Sequence, residues 1–294
     1  MTPSTSKTAF STQHSPHNNQ WIRLWRKLRR DPLGTFAFSL MLFLIVMVIF
    51  GPRFYLLSPS RTNPLNTLAS PSSEHWLGTD ELGRDVFARI LAGGRVSLTV
   101  GFLSMLVSLS IALVAGAIAG YFGGWAEVLV MRCVDMFMAI PAFFFILVII
   151  TTFGNRPSTV ILTVGLAFWG QMARIIYAEF RKFRNSEFVE ASQALGGSQL
   201  RIIWQHITPQ VMPQAIVLAT LGVGWAILTE AALSYLGLGI QPPLASWGNM
   251  LQNAQSYLWR APLLAVYPGF FIAITVLAFN LLGNTLRDVL DPHS

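Results

Sequence analysis

The chain has 294 residues, of which 53% are hydrophobic and only 11% charged. Soluble domains carry about a quarter charged residues, so this composition belongs to a membrane protein. The net charge of +7 does not mark a nucleic-acid binder, because the basic residues stand in short clusters between apolar runs and form no basic face. The lone cysteine, Cys133, excludes a disulfide framework and reads as a small core hydrophobe within an apolar run.

Residues 1–20 are rich in Ser, Thr, His, Asn and Gln and read as a disordered tail. Over residues 21–32, Trp21, Leu24, Trp25 and Leu28 fall at i, i+3, i+4 and i+7 with arginines opposite. That is the pattern of a helix lying in the membrane interface against anionic lipid headgroups. No signal-peptide pattern precedes the first apolar run, which is expected to stay as an anchor.

A helix needs about 20 mostly apolar residues to cross the hydrocarbon. Six stretches qualify, at 33–50, 96–121, 126–153, 159–177, 214–235 and 263–282. The expected fold is therefore all-α and integral to the membrane, with six transmembrane helices. Its parts are an anchor zone at 33–57, an extracytoplasmic segment at 58–95, a five-helix unit at 96–284 and a tail at 285–294. The short links "FGGWAE" and "GNRPS" make spans two, three and four successive antiparallel neighbours. The side receiving Arg26, Arg29, Arg181, Arg184 and Arg201 outweighs the side receiving Arg53, Arg84, Arg89 and Arg260. Both termini are accordingly expected in the cytoplasm.

Before the second span, Gly78 and Gly83 mark turns. Val86, Phe87, Ile90 and Leu91 form a stripe, with Arg84, Asp85 and Arg89 off it, so a short amphipathic outer helix is expected. It is either a lid on the bundle or a contact for a substrate-delivering protein. Asp80, Glu81 and Asp85 partly offset the arginines.

The polar insert "EASQALGGSQLRIIWQHITPQ" after the fourth span is harder to explain as a linker. Ser186 is placed to cap a helix in which Phe188, Ala191 and Leu195 share one side. Gly196 and Gly197 break it. Leu200, Ile203, Trp204 and Ile207 then repeat the helical spacing, and Pro209 and Pro213 lead into the fifth span. The reading is two short amphipathic helices meeting at a glycine bend, spanning residues 179–212. A rigid elbow suits docking of another protein or, more simply, joins two spans.

Glu190, Ala191, Ser192, Gly196 and Pro209 follow the EAA-loop pattern of bacterial ATP-binding-cassette (ABC) importer permeases, with Ser192 replacing the usual alanine. "HWLGTDELGRDVFARILAGGRVSLTVG", "YFGGWAEVLVMRCVDMFMAIP", "GLGIQPPLASWGNML" and "PGFFIAITVLAFNLLGNTLRDVLDP" resemble the dipeptide, oligopeptide and nickel permeases of the C-subunit type. The resemblance runs from about position 20 to the end. It implies a type I importer permease working by alternating access in the bacterial inner membrane. Its implied partners are a second, homologous permease in a heterodimer, two ATPase subunits, into a groove of one of which the elbow inserts, and an extracytoplasmic binding protein. Its implied cargo is short peptides, with nickel complexes and other small solutes as variants.

No G-x-x-x-x-G-K-[ST] run, H-E-x-x-H run or Cys/His cluster of metal-ligand spacing occurs. The chain is expected to be no enzyme and to hold no metal or cofactor, with ATP and magnesium bound by the partner ATPases. His206 reads as a polar residue of the elbow. Ionisable groups within spans carry a functional hypothesis by default. Asp135 is placed to pair with Arg132 one turn earlier, just before a kink at Pro141, as an anchor or as part of a gate. Glu230, near the outer end of the fifth span, either faces the cavity at a closed outer gate or hydrogen-bonds a neighbouring helix. The same two carboxylates would form the relay of a proton-coupled secondary transporter, the competing reading.

Overall fold

The computed structural model describes residues 31–290. The tail at 1–20 and most of the interfacial helix at 21–32 lie outside the described residues. Among those described, the chain is helical, and extended pairing is limited to one isolated bridge between Thr79 and Asp85.

Helix α1 spans Pro32–Phe54. Asp31 accepts the Leu33 N–H (3.0 Å), and Pro32 occupies a position where a missing N–H costs nothing. Helix α2 spans Val86–Phe122, 37 residues and so about 55 Å. That exceeds the ~30 Å hydrocarbon thickness. The expected short outer helix is therefore not separate. It is the first turns of α2, because nothing between Leu91 and Val96 interrupts the hydrogen-bond ladder.

The third span is broken. Helices α3 (Gly124–Ala139) and α4 (Ala142–Phe153) meet at 82°. Pro141 lacks an N–H and forces Ile140 out of the helical region (φ −81°, ψ 122°), so a sharp bend replaces the expected kink. Helix α5 covers Pro157–Arg184, α6 Glu187–Ala194, α7 Gln199–Tyr235, α8 Trp247–Ala254 and α9 Leu263–Leu290. The end of α9 thus takes in residues expected to belong to the tail. Among the described residues, five helices are long and apolar enough to cross a membrane, and the bent α3–α4 pair supplies a sixth crossing if counted as one.

Helix α7 also departs from expectation. Its first residues were expected as a separate amphipathic helix, yet they run into the span through a π-helical stretch at Ile202–Ile207. The Thr208 N–H reaches back to Ile203 O, and the widened turn sits just before Pro209, whose missing N–H would interrupt an ordinary ladder.

Helices in lipid gain little from burying apolar side chains against one another, so close backbone approach matters more. The seam between α2 and α5 is built that way. Ser104, Ser108, Ala112, Gly116 and Gly120 recur every fourth residue of α2 and are buried. Ser104 Oγ donates to Ile161 O (3.1 Å). A Cβ on Gly116 would stand 2.9 Å from the Tyr177 backbone nitrogen, and one on Gly120 2.8 Å from Tyr177 O. The matched positions rise together, so the two helices run parallel, with α3 and α4 making the return. Helix α3 packs mainly through Val134, its one buried residue. Cys133, next to it, is exposed rather than in the core. At the far end, Thr285 Oγ1 donates to Asp31 Oδ2 (3.2 Å), which brings the start of α1 and the last turns of α9 to the same end of the bundle.

Replacing Gly120 by valine should part α2 from α5, because Phe180 Cβ would lie 2.5 Å from the new Cβ. The expected loss is about 1–3 kcal/mol, read as a lower Tm of the solubilised protein. An unchanged Tm would mean that the two backbones are not in contact.

Candidate functional site

The elbow begins where α5 ends. Ser186 sits at the start of α6, but its Oγ donates back to Phe183 O (2.6 Å) and caps nothing. Helix α6 ends in a paired main-chain closure. The Gly196 N–H bonds Gln193 O and the Gly197 N–H bonds Ser192 O, both at 2.9 Å. This is the Schellman geometry, in which the residue after the cap takes positive φ. Gly196 has φ +78° and open space around it, so only the backbone demands glycine there. At Gly197 a Cβ would meet Ser192 Oγ at 2.7 Å.

Val189, Ile202, Ile203 and Ile207 are buried and root the elbow in the bundle. Leu195, Leu200 and Trp204 are exposed at 88%, 68% and 52%. The second expected stripe is thus divided, half facing in and half facing out. Glu190, Ala191 and Pro209 are exposed, Ser192 and His206 half-buried. A cluster of large exposed apolar residues on an otherwise charged end marks an interaction surface.

Glu230 is fully buried. Its Oε2 accepts from Ser97 Oγ of α2 (2.9 Å) and its Oε1 from Ser234 Oγ (2.7 Å). Each serine in turn accepts a backbone N–H from the segment that leads into α8. Trp247 N–H reaches Ser97 Oγ (3.3 Å), and Ile240 N–H reaches Ser234 Oγ (2.9 Å). The carboxylate therefore ends two chains of donors and ties residues 236–247 to α2 and α7. The α8 end fits tightly, since a Cβ on Gly248 would lie 2.7 Å from Ala231 Cα. Trp247 is fully buried, donates from Nε1 to Ile90 O (3.0 Å) and stacks on Phe271. Of the two placements expected for Glu230, the structure has the hydrogen bond to a neighbouring helix.

Asp135 does not take Arg132. Its partner is Arg174 of α5, with Nη2 2.7 Å from Oδ1. The α3–α5 packing carries Arg174 past Asp135, as Phe137 against Trp169 also shows (ring centroids 5.5 Å apart). Both members of the pair stay about half exposed, at 47% and 53%. Pro141 lies beyond, at the bend.

The segment before α2 is an ionic knot. Asp80 accepts from Arg84 Nε (2.7 Å), Arg89 Nε lies 3.3 Å from the same oxygen, and Arg84 Nη2 donates to Glu81 (2.8 Å). Asp85 caps α2 through the Ala88 N–H (2.7 Å). Its other oxygen accepts from Tyr55 OH (2.8 Å) and lies 2.8 Å from His75 Nδ1. Burial, reinforced by Asp85, pushes the Tyr55 phenol up to about 12, so this donor stays protonated. Arg84, Asp85 and Arg89 are buried rather than facing water off a stripe. Gly78 and Gly83 both have positive φ, and a Cβ on Gly83 would overlap Asn63 O at 1.9 Å. The glycines fold the segment back on itself so that the charges meet.

Sequence reasoning missed Ser97, Ser234, Trp247, Arg174, Tyr55 and His75. Ser97 and Glu230 are 133 residues apart, and no local pattern couples them. Only Arg174, a lone cation in an apolar span, carried a signal that could have been used.

Replacing Ser97 with alanine strips a donor from Glu230 and an acceptor from the Trp247 N–H. The expected cost is about 1–3 kcal/mol in thermal unfolding. A double-mutant cycle with Glu230→Gln should be non-additive. Strict additivity would refute the coupling.

Two family descriptions match this chain. Residues 112–294 match the binding-protein-dependent transport system inner membrane component, and residues 19–71 match the N-terminal TM domain of oligopeptide transport permease C. The chain is 36% identical to the dipeptide transport system permease protein of Alkalihalophilus pseudofirmus, over 99% of its own length and 96% of the relative's. It is 38% identical to the oligopeptide transport system permease protein of Bacillus subtilis, over 92% and 90%. A solved structure of inward-facing conformations of the MetNI methionine ABC transporter superposes with a TM-score of 0.55 at 16% identity, covering 68% of this chain and 96% of that one. That likeness concerns the fold alone. With a helical bundle, a glycine-turned elbow and relatives that span nearly all of it, the chain belongs to the family of binding-protein-dependent transport system inner membrane components, as an ABC importer permease.

Proposed function

We propose that this permease takes up dipeptides and oligopeptides by alternating access. It pairs with a second, homologous permease, and two ATPase subunits dock below the pair, one of them at this chain's elbow. An extracytoplasmic binding protein delivers the cargo to the opposite end. The single observation that carries this reading is the elbow: exposed Leu195, Leu200 and Trp204 held on a main-chain turn and rooted by Val189, Ile202, Ile203 and Ile207. The dipeptide and oligopeptide relatives support the cargo class. Arg181, Lys182, Arg184 and Arg201 crowd the elbow end, which supports a cytoplasmic placement of that end and of both termini.

The mechanics follow from α7. From Thr208 to Glu230 it is a continuous α-helix, about 33 Å at 1.5 Å per residue, joined to the elbow through the π-helical stretch at Ile202–Ile207. Movement of the elbow passes through the π-helical stretch and along α7 to the Glu230 knot. ATP and loaded binding protein each have to favour one conformation over the other for this to drive transport. ATP and magnesium belong to the ATPases in this scheme. Glu230 sits where elbow motion would meet the outer half of the bundle, which suits a gate-supporting role. The exposed Asp135–Arg174 pair suits a water-lined or protein-lined face, since charges at membrane depth avoid lipid.

Replacing Gly196 with valine should strain the turn by about 1–2 kcal/mol and weaken ATPase docking roughly tenfold, with the chain still in the membrane. Copurification of the ATPases from solubilised membranes reads this out, and normal recovery would refute the docking assignment. Reconstituted alone, the chain should move no peptide. Proton-driven uptake by the chain alone would instead favour the secondary-transporter reading.

A further inference from the structure

A cavity of about 320 Å³ opens at mid-length between α2, α5 and α7. Met105, Met172, Phe168, Leu218 and Leu221 make its walls, with Gly222 among them and Trp225 and Gln171 at the exposed rim. The volume lies at the small end of the range for small-ligand pockets, about 300–1,000 Å³. We propose that this cavity receives an apolar side chain of the passing cargo, while the Gln171 carboxamide pairs with the adjoining peptide amide. This deepens the peptide-importer reading and rests on it.

Three observations select a peptide over lipid or a purely apolar side chain of another subunit. Gln171 is the one strongly polar side chain of the lining, and among the described residues its carboxamide has no hydrogen-bond partner. A carboxamide offers both a donor and an acceptor, which is what a peptide group requires and what an acyl chain leaves unmet. Next, Arg174 lies one turn further along α5 on the same side, and its exposed ion pair with Asp135 belongs on a face that is not lipid. Last, the two buried wall residues that contact the floor are methionines, whose flexible thioethers repack around different apolar groups. An importer that passes many side chains benefits from such a wall.

Gly222 sets the depth. A Cβ there would stand 2.4 Å from Met105 Sδ and 3.0 Å from Met172 Cε, so any larger residue pushes the thioethers into the cavity. Trp225, 62% exposed, narrows the entrance.

The test uses the complete transporter in proteoliposomes, with both permeases, the ATPases and the binding protein. Uptake of dipeptides differing only in Phe against Ala is compared, after normalising for the binding protein's own preference. Gly222→Val should lower the Phe-to-Ala uptake ratio by about tenfold, and Trp225→Ala should raise it. Gln171→Leu should cut uptake of both peptides, with Gln171→Asn restoring part of it. An unchanged ratio in both Gly222→Val and Trp225→Ala, with the complex assembled, overturns the pocket while leaving the importer reading intact. Loss of the second permease on copurification of these variants also overturns it, since the cavity would then seat that subunit. A wild-type complex that moves neither peptide overturns the cargo class and the pocket together.

Discussion

Because lipid tails are as apolar as leucine, the helices of this permease cannot be held by hydrophobicity alone. Association rests on backbone-to-backbone approach and on polar groups that must be satisfied away from water. The seam from Ser104 to Gly120 supplies the first, with glycine set against the α5 main chain at Tyr177. The Glu230 knot supplies the second, joining α2, α7 and the entry to α8 through two serines. These two features act in series. The seam fixes α5 beside α2, which fixes where the elbow emerges, and α7 carries the elbow's position to the knot.

The two ends of the bundle are built from different materials. The end at the start of α2 is closed by side-chain electrostatics, with Asp80, Arg84 and Arg89 buried and interlocked. Breaking one member of such a group leaves a charge stranded, so this end tolerates little change. The elbow end is shaped by the main chain, through the bonds of Gly196 and Gly197. One end is thus held by buried ion pairs and the other by a defined, solvent-facing bracket.

Much of this architecture was legible in the chain because it is local. Apolar runs, the glycine pair at 196–197 and the turn glycines at 78 and 83 each announce themselves within a few residues. What was not legible depends on which faces meet. Asp135 had Arg132 within one turn, and only the α3–α5 packing brings Arg174 to it from 39 residues away. Cys133 sits in an apolar run, yet α3 buries little beyond Val134. The spacing of Leu200, Ile203, Trp204 and Ile207 is the same whether their helix stops or continues, so periodicity could not distinguish a separate elbow helix from the first turns of α7. Ser186 has the chemistry of a cap, but Phe183 O is closer competition for its hydroxyl.

The Schellman closure of the elbow has one more implication. Its curvature is stored in carbonyls and amides, not in the identity of the surrounding side chains. On the docking proposed above, positions 188, 195, 200 and 204 can therefore be exchanged to suit a different partner surface without bending the bracket itself. Shape and partner choice are written in separate alphabets, and a designer could rewrite one while leaving the other untouched.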